Sequence, residues 1–154
     1  MTGSSGEGEF MSASAEPGRL LPAQDDYDAI MQSILDYVEG WYDADVARMK
    51  RCLHPDLVKR TLAPDPQGGT WHLRRTTDAS KMLALTKEGG GGDTPESQRR
   101  YQIAILDVFR HVATAKCVSP GYVDYLHLAK FEDRRWLIVN VLWELREGEI
   151  KDNP

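Results

Sequence analysis

The sequence has few of the features that would assign it to a specialised class. It contains no apolar run of about 18 residues, so no membrane span is predicted. Its N-terminus has no charged start followed by an apolar block, so no secretory signal is visible. Positive charge is not in excess, since the net charge is -5, and this argues against a general nucleic-acid binder. We therefore expect a cytoplasmic protein with neither nucleic acid nor membrane as a partner.

Cysteine is also scarce. Cys52 and Cys117 occupy apolar-looking positions, and without a secretory signal we interpret both as reduced core residues. The four His and two Cys show no metal-ligand spacing, so we predict no metal and no cofactor. The glycines at 89–92 follow a predicted helix and precede no Lys-Ser or Lys-Thr pair. They are therefore interpreted as a flexible loop, near the mouth of any pocket, rather than as a phosphate loop.

The chain is long enough for one domain with a substantial core. Residues 1–24 are rich in Gly, Ser, Ala, Glu and Pro and are expected to be a disordered leader. Within them, residues 1–10 are interpreted as a tag or an overlong start, with Met11 as an alternative beginning. We place the domain at 25–148 and a C-terminal tail at 149–154.

Apolar spacing predicts three helices and six strands. The first helix starts from a cap at Asp25 or Asp26. The second starts from a cap at Asp43 or Asp45 and ends before Pro55, and the third starts from a cap at Thr77 or Asp78 and ends at Gly89. The first four strands are predicted at 57–63, 70–77, 101–108 and 112–118. Because helices come first and an antiparallel meander follows, the order favours an α+β domain with helices on one face of a curved sheet.

Residues 122–146 are the most strongly patterned stretch and predict a long hairpin that is apolar on both faces. The loop Glu132-Asp133-Arg134 places Arg134 where a left-handed residue, normally Gly, is expected. Two registers remain open. A three-residue loop places His127 on one face with Tyr125, Val139, Val141 and Trp143. A loop of two or four residues pairs His127 with Asn140, on one face with Trp136 and Ile138.

Several phrases in the chain resemble the nuclear transport factor 2-like superfamily. These are GWYDAD at the end of the first helix, LHPDLVKR after it, and DYLHLAK followed by RWLIVNVLW in the hairpin. The closest resemblance is to the bacterial group named Putative lumazine-binding and to SnoaL-like proteins. It implies a cone-shaped half-barrel, in which a curved antiparallel sheet, mixed at one edge, carries three helices on its concave side. It also implies a small-molecule pocket in the open end and a homodimer through the sheet.

The ketosteroid isomerases of this superfamily offer a test of catalytic residues. The resemblance places Tyr37 at the position of their oxyanion-binding Tyr. Their general-base Asp falls near Arg60 or Thr61, and their second, protonated Asp falls on His127. Only one position of three matches, which argues against ketosteroid isomerase activity.

Our leading hypothesis is a small-molecule-binding protein whose ligand is unknown. The alternative is a cofactor-independent lyase or isomerase that transfers protons with Tyr37 and either His127 or His54. A third hypothesis is a non-catalytic dimerisation module with a packed interior. The candidate ligand-binding residues are the aromatic and polar positions that would face the cone: Tyr37, Trp41, His54, Trp71, Tyr125, His127, Asn140, Val141 and Trp143.

Structural roles are open for the same positions. Tyr37 and Trp41 lie on the apolar stripe of the first helix, where core packing explains them equally well. His54 could bond backbone carbonyls at a helix end, where the helix dipole stabilises a cationic ring. His127 could face outward, toward a second subunit.

Overall fold

The computed structural model describes residues 23–146. The predicted leader, apart from its last two residues, and the predicted tail at 149–154 lie outside this range. The domain boundaries therefore stay predictions. In chain order, the elements are α1 (Gln24–Tyr42), α2 (Val46–Cys52), β1 (Leu53–Pro64), β2 (Trp71–Thr77), α3 (Ala79–Lys87), a short 3-10 turn (Glu96–Gln98), β3 (Gln102–Phe109), β4 (Val112–Val118), β5 (Tyr122–Lys130) and β6 (Trp136–Leu145).

The six strands form one sheet in the order β2-β1-β6-β5-β4-β3. All neighbouring strands are antiparallel except β1 and β6, which run parallel. The sheet is curved and does not close on itself, and the three helices pack against it. The predicted α+β architecture with a mixed sheet is therefore confirmed.

The start of α1 differs from the prediction. Its N-cap is Ala23, which makes no side-chain capping bond. Asp26 lies in the first turn, where its carboxylate accepts a hydrogen bond from Trp136 Nε1 at 3.0 Å and pairs with Lys130 Nζ at 2.8 Å. The carboxylate predicted as a cap thus joins the helix to the hairpin instead. The other two helices are capped as expected, by the side chains of Asp45 and Asp78.

The hairpin takes the second of the two predicted registers near His127, because His127 pairs with Asn140. The register then shifts by one residue, and Leu128 pairs with Ile138. Val139 is the extra residue of this β-bulge. The hairpin prediction did not include a bulge. Its effect is that Trp136 and Ile138 are buried before the bulge, and Val141 and Trp143 are buried after it.

The loop of the hairpin spans five residues between the strand ends. Arg134 has φ +64°, which confirms the expected left-handed residue in a position that usually holds Gly. The amide of Arg134 donates to the carbonyl of Phe131. The turn is therefore closed by a backbone hydrogen bond around a conformation that disfavours a side chain.

The core lies between α1 and the concave face of the sheet. Ile30 and Ile34 of α1 are fully buried there, and Ser33 Oγ donates to the carbonyl of Trp136 at 2.5 Å. Cys52 and Cys117 are buried free thiols, and burial raises the pKa of Cys117 to about 12. Within the described part of the chain, no helix is long and apolar enough to cross a membrane.

Candidate ligand-binding site

A cavity of about 470 Å³ opens between the sheet and the helices. Its wall is made by α1, by α3 and by the end of β2 with Asp78, which follows it. Its inner end is made by β1, β5 and β6. The lining residues are Tyr37, Val38, Trp41, Tyr42, Lys59, Arg75, Thr76, Thr77, Asp78, Lys81, Met82, Leu85, Ser119, Tyr122, Asp124 and Trp143. The packed interior required by the dimerisation-module hypothesis is therefore not observed.

The strand register explains which side chains reach the inner end. Trp143 of β6 pairs with Thr61 of β1 on one side and with Asp124 of β5 on the other. Lys59 precedes Thr61 by two residues and therefore shares its face. Two oppositely charged side chains thus come from the strands that flank Trp143. Both Lys59 and Asp124 line the cavity.

Lys59, Tyr37 and Asp124 form a buried polar cluster, which we call the inner triad. Lys59 Nζ donates to Tyr37 Oη at 2.5 Å, and Tyr37 Oη donates to Asp124 Oδ1 at 3.3 Å. Lys59 Nζ and Asp124 Oδ1 are 3.8 Å apart, and the two side chains are 14% and 7% exposed. The tyrosine hydroxyl therefore links an amine to a carboxyl group at the end of the cavity.

Burial dominates the ionisation of all three groups, because it disfavours each charged form. It raises the pKa of Asp124, although Lys59 and Tyr37 oppose the shift. It lowers the pKa of Lys59, although Asp124 opposes that shift. The pKa of Tyr37 is raised well above its ordinary value, so its hydroxyl keeps its proton. The pKa values of the Asp124 carboxyl and the Lys59 amine are thus both shifted toward neutral pH.

Trp143 adds a second polar group at the same place. Its ring lies 5.5 Å from Lys59 Nζ, and the ring of Tyr37 lies 5.1 Å away, so the amine sits within cation–π range of two aromatic faces. Trp143 Nε1 is buried and has no hydrogen-bond partner. Such atoms are rare in folded proteins and require an explanation. Here the unused donor belongs to a residue that lines the cavity.

The glycine loop after α3 lies against the same region. Gly90 has φ +50°, and a Cβ on it would come within 2.4 Å of the carbonyl oxygen of Trp41. The amide of Gly91 donates to that same carbonyl at 2.9 Å. Together with Trp41 and Trp143, these glycines line a second cavity of about 280 Å³ that adjoins the first. The loop packs closely on α1, and its predicted position at the mouth of the main cavity stays a prediction.

Three of the predicted ligand-binding residues line the main cavity, namely Tyr37, Trp41 and Trp143. Their role in binding stays a prediction. Val141 is fully buried in the core beside it. Tyr125 is 46% exposed, and it alternates with the inward-facing Asp124 and therefore points outward.

His127 and Asn140 also lie on the outer face. Asn140 Nδ2 and His127 Nδ1 are 3.2 Å apart in an exposed pair, so the polar groups of this pair satisfy each other. The physical reason is strand parity: on β5, Asp124, Leu126 and Leu128 are buried, while Tyr125 and His127 between them are exposed. The expectation that His127 and Asn140 line the cavity is corrected.

His54 and Trp71 are also away from the cavity. The ring of His54 stacks on Phe131 at 4.8 Å, and its Nδ1 accepts a hydrogen bond from the amide of Asp56. Trp71, on the edge strand β2, is 52% exposed. None of the four His residues lines the cavity, so the structure does not place His127 or His54 with Tyr37 in this cavity.

Sequence analysis missed Lys59 and Asp124. Both are charged residues at inward positions of strands whose other inward positions are apolar or small. In β1 the series is Leu57, Lys59, Thr61 and Ala63; in β5 it is Asp124, Leu126 and Leu128. The signal that could have found Lys59 and Asp124 is the alternation along each strand, which places both at positions that face inward.

The arrangement combines apolar side chains from α1 and α3 with a buried polar cluster at the inner end, and polar residues of β2 and α3 also line the wall. Val38, Met82 and Leu85 can contact a ring system, while the inner triad can bond an oxygen or nitrogen of the same molecule. Among residues 23–146, no three His, Cys, Asp or Glu side chains lie together as metal ligands would.

Comparisons with solved structures show the same fold in proteins of low sequence identity. A nuclear transport factor 2-like protein of unknown function from Methylobacillus flagellatus KT is 19% identical, with 83% of this chain and 98% of that chain covered, at a TM-score of 0.65. A similar protein from Silicibacter pomeroyi DSS-3 is 14% identical, with 82% and 100% covered, at 0.63. A ketosteroid isomerase-like protein from Erwinia carotovora atroseptica SCRI1043 is 12% identical, with 80% and 98% covered, at 0.55.

No curated protein matches the chain. The profile of a family described as Putative lumazine-binding matches residues 25–144. This range contains β1 to β5, all of β6 except Leu145, every residue of the inner triad and every lining residue of the main cavity. The chain therefore belongs to the Putative lumazine-binding family and has the fold of the nuclear transport factor 2-like proteins.

Proposed function

We propose that this protein binds a small ring-bearing molecule in the main cavity, with one carbonyl, hydroxyl or ring nitrogen of the ligand bonded by the inner triad. The observation that carries the proposal is the juxtaposition of a chamber of about 470 Å³ with Lys59, Tyr37 and Asp124 at its inner end. A chamber of this size is within the range that small-molecule sites occupy. The family name is consistent with a flat heterocycle as the guest.

Energetics support the same conclusion. An amine and a carboxyl group that are both nearly buried cost free energy unless they are paired and bonded. A core position in this fold could hold leucine or methionine instead. Retaining the charged pair beside an unused indole N–H is therefore more consistent with recognition of a polar guest than with packing.

Binding can be tested with a panel of ring compounds that includes lumazine, other pteridines and polyketide-like phenols. We expect at least one compound to raise the melting temperature and to bind saturably in calorimetry. Leu85→Trp should fill the chamber, because Leu85 lines it, and should weaken that binding on the order of tenfold or more, as overpacking a site does.

The matched control is Leu106→Trp. Leu106 is 54% exposed on the edge strand β3, so the same added ring should leave binding unchanged. Equal affinities of the wild type and Leu85→Trp for every binding compound would contradict the proposed location. A panel without any saturable binder would count against the function itself.

We also propose that two copies associate through the outer face of the sheet. Leu62 and Leu73 pair across β1 and β2, and Leu142 lies opposite Tyr125. These four side chains are between 39% and 59% exposed. A contiguous set of large apolar residues on an open sheet face is typical of an interface.

Sedimentation velocity tests this association. We expect the wild type to sediment as a dimer and Leu142→Glu as a monomer, because a carboxylate would be buried without a partner at the interface. Leu106→Glu, on the edge strand, should remain dimeric. A monomeric wild type at micromolar concentration, or a dimeric Leu142→Glu variant, would refute the proposed interface.

A further inference from the structure

Lys59 has a chemical property beyond its part in the binding of a ligand. Its amine lines the cavity, its side chain is only 14% exposed, and it contacts a tyrosine hydroxyl at 2.5 Å. A carboxyl oxygen lies 3.8 Å from the amine. The amine of Lys59, the hydroxyl of Tyr37 as a proton donor and the carboxyl group of Asp124 as a proton acceptor thus line one chamber.

We propose that Lys59 forms a reversible imine with an aldehyde or ketone group of a ligand held in the main cavity. The inference rests on the proposed binding function, and it specifies the class of guest and the atom that captures it. The observation that carries it is the juxtaposition of the amine with Tyr37 and Asp124 at the inner end of the main cavity.

The first requirement is a neutral amine, since the ammonium ion is not a nucleophile. Burial lowers the pKa of Lys59, and buried lysines are the ones that form Schiff bases in enzymes. Asp124 can accept the proton, because burial raises the pKa of its carboxyl group. The hydroxyl of Tyr37, which bonds both groups, provides the path between them.

The step balances without any further reagent. The nitrogen of Lys59 attacks the carbonyl carbon, a C–N bond forms, and one of the two protons of the nitrogen passes to the carbonyl oxygen to give a carbinolamine. The nitrogen loses a proton, and the hydroxyl gains one and leaves as water as the C=N bond forms. One amine and one carbonyl compound give one imine and one water, and no electrons are exchanged with another molecule.

The chamber favours this reaction over simple surface chemistry. Trp143 and Tyr37 place aromatic faces within about 5–6 Å of the nitrogen, where they can also stabilise the positive charge of a protonated imine. Lys81 is a second amine on the wall of the cavity, but it is exposed. Its ammonium therefore remains hydrated, and Lys59 is the amine that the chamber activates.

The test uses 2-naphthaldehyde with cyanoborohydride, which reduces an imine to a stable secondary amine. The alcohol 2-naphthalenemethanol serves as the matched compound that cannot form an imine. Peptide mapping of the full chain should find Lys59 labelled at least about tenfold faster than Lys50 and Lys87, because the cavity holds the aldehyde beside the amine. Both comparison lysines are exposed.

Variants separate activation from mere access. Lys59→Met should lose the fast label, and Lys50→Arg should keep it. Asp124→Asn should shift the pH profile of labelling, because the amide cannot accept the proton of the ammonium. A profile for Asp124→Asn that coincides with that of the wild type would remove Asp124 from the proposal.

Labelling of Lys59 no faster than that of Lys50 and Lys87, or fast labelling of Lys81 instead, would overturn the imine proposal. If the alcohol still binds in calorimetry, the proposed binding function survives that result. If neither naphthalene compound binds and the panel of ring compounds also gives no binder, both proposals fail together.

Discussion

The triple variant Tyr37→Phe, Lys59→Met, Asp124→Leu is expected to be more stable than the wild type by about 1–4 kcal/mol, the range found when buried ionic groups are replaced by apolar residues of similar size. The inner triad removes an amine and a carboxyl group from water, and its geometry recovers only part of that cost. Urea unfolding at neutral pH would measure the gain. The same variant should bind no ring compound.

The single substitution Asp124→Leu should have the opposite sign. It leaves the amine of Lys59 nearly buried without its carboxyl partner, and breaking a buried pair in this way typically costs about 3–5 kcal/mol. The contrast between the single and triple variants is the diagnostic result. A triple variant less stable than Asp124→Leu would mean that the triad contributes to the fold rather than to recognition.

The pH dependence of the triple variant's gain follows from the two shifts. The raised pKa of Asp124 means that its contribution favours folding in acid and is lost as the pH rises through its folded value. The lowered pKa of Lys59 means that its contribution disfavours folding fully below its folded pKa, and this penalty is lost as the pH rises from there to the ordinary lysine pKa. The extra free energy of unfolding of the triple variant should therefore be largest between the folded pKa values of Asp124 and Lys59. It should become smaller at more acid and at more alkaline pH.

Asp36→Asn is expected to destabilise the protein by about 2 kcal/mol, the loss typical of hydrogen bonds to a charged group. The carboxylate of Asp36 is 3% exposed. It accepts two bonds of 2.7 Å from Arg51 and one of 3.0 Å from Arg48. These bonds join α1 to α2, and the asparagine can accept on only one oxygen. Denaturant unfolding at neutral pH measures the effect.

The pH dependence gives this prediction an independent check. Burial alone would raise the pKa of Asp36, but the bonds from Arg51 and Arg48 outweigh it and hold the pKa below 3.8. The stability contributed by Asp36 should therefore be present above that value and disappear as the pH falls through the folded pKa. Glu39→Gln is the control: Glu39 is 31% exposed and pairs with Arg48, so its loss should cost less than about 1 kcal/mol. Equal losses for both variants would contradict this assignment.

The fold could be predicted because its signals are periodic and redundant. The three–four spacing of α1 and the alternation in β4 and β5 each extend over several residues, so one exceptional position does not change the result. The third helix was predicted with a cap at Thr77 or Asp78, and the structure shows that Asp78 is the cap. The start of α1 was wrong because a tertiary contact, from Asp26 to Trp136, determines the use of that carboxylate.

The site could not be predicted to the same extent, because it depends on which face each strand turns inward. Tyr37, Trp41 and Trp143 were identified from their apolar surroundings. His127 was selected because histidine titrates near neutral pH, yet its parity places it outside. Lysine and aspartate lie on the surface in most proteins. Only the pairing of β1 and β5 with β6 reveals that Lys59 and Asp124 share a buried face.

The bulge at Val139 has a consequence for how this chamber can diverge among related proteins. Val139 shifts the alternation of β6 by one residue, so the inward positions are Trp136 and Ile138 before it and Val141 and Trp143 after it. Deleting that residue would leave Ile138 opposite Leu128 and Asn140 opposite His127, because these two pairs flank it, so Trp143 would stay opposite Asp124 and would still face the chamber. Related chains can therefore gain or lose one codon at this point without changing which side chains of this strand line the pocket.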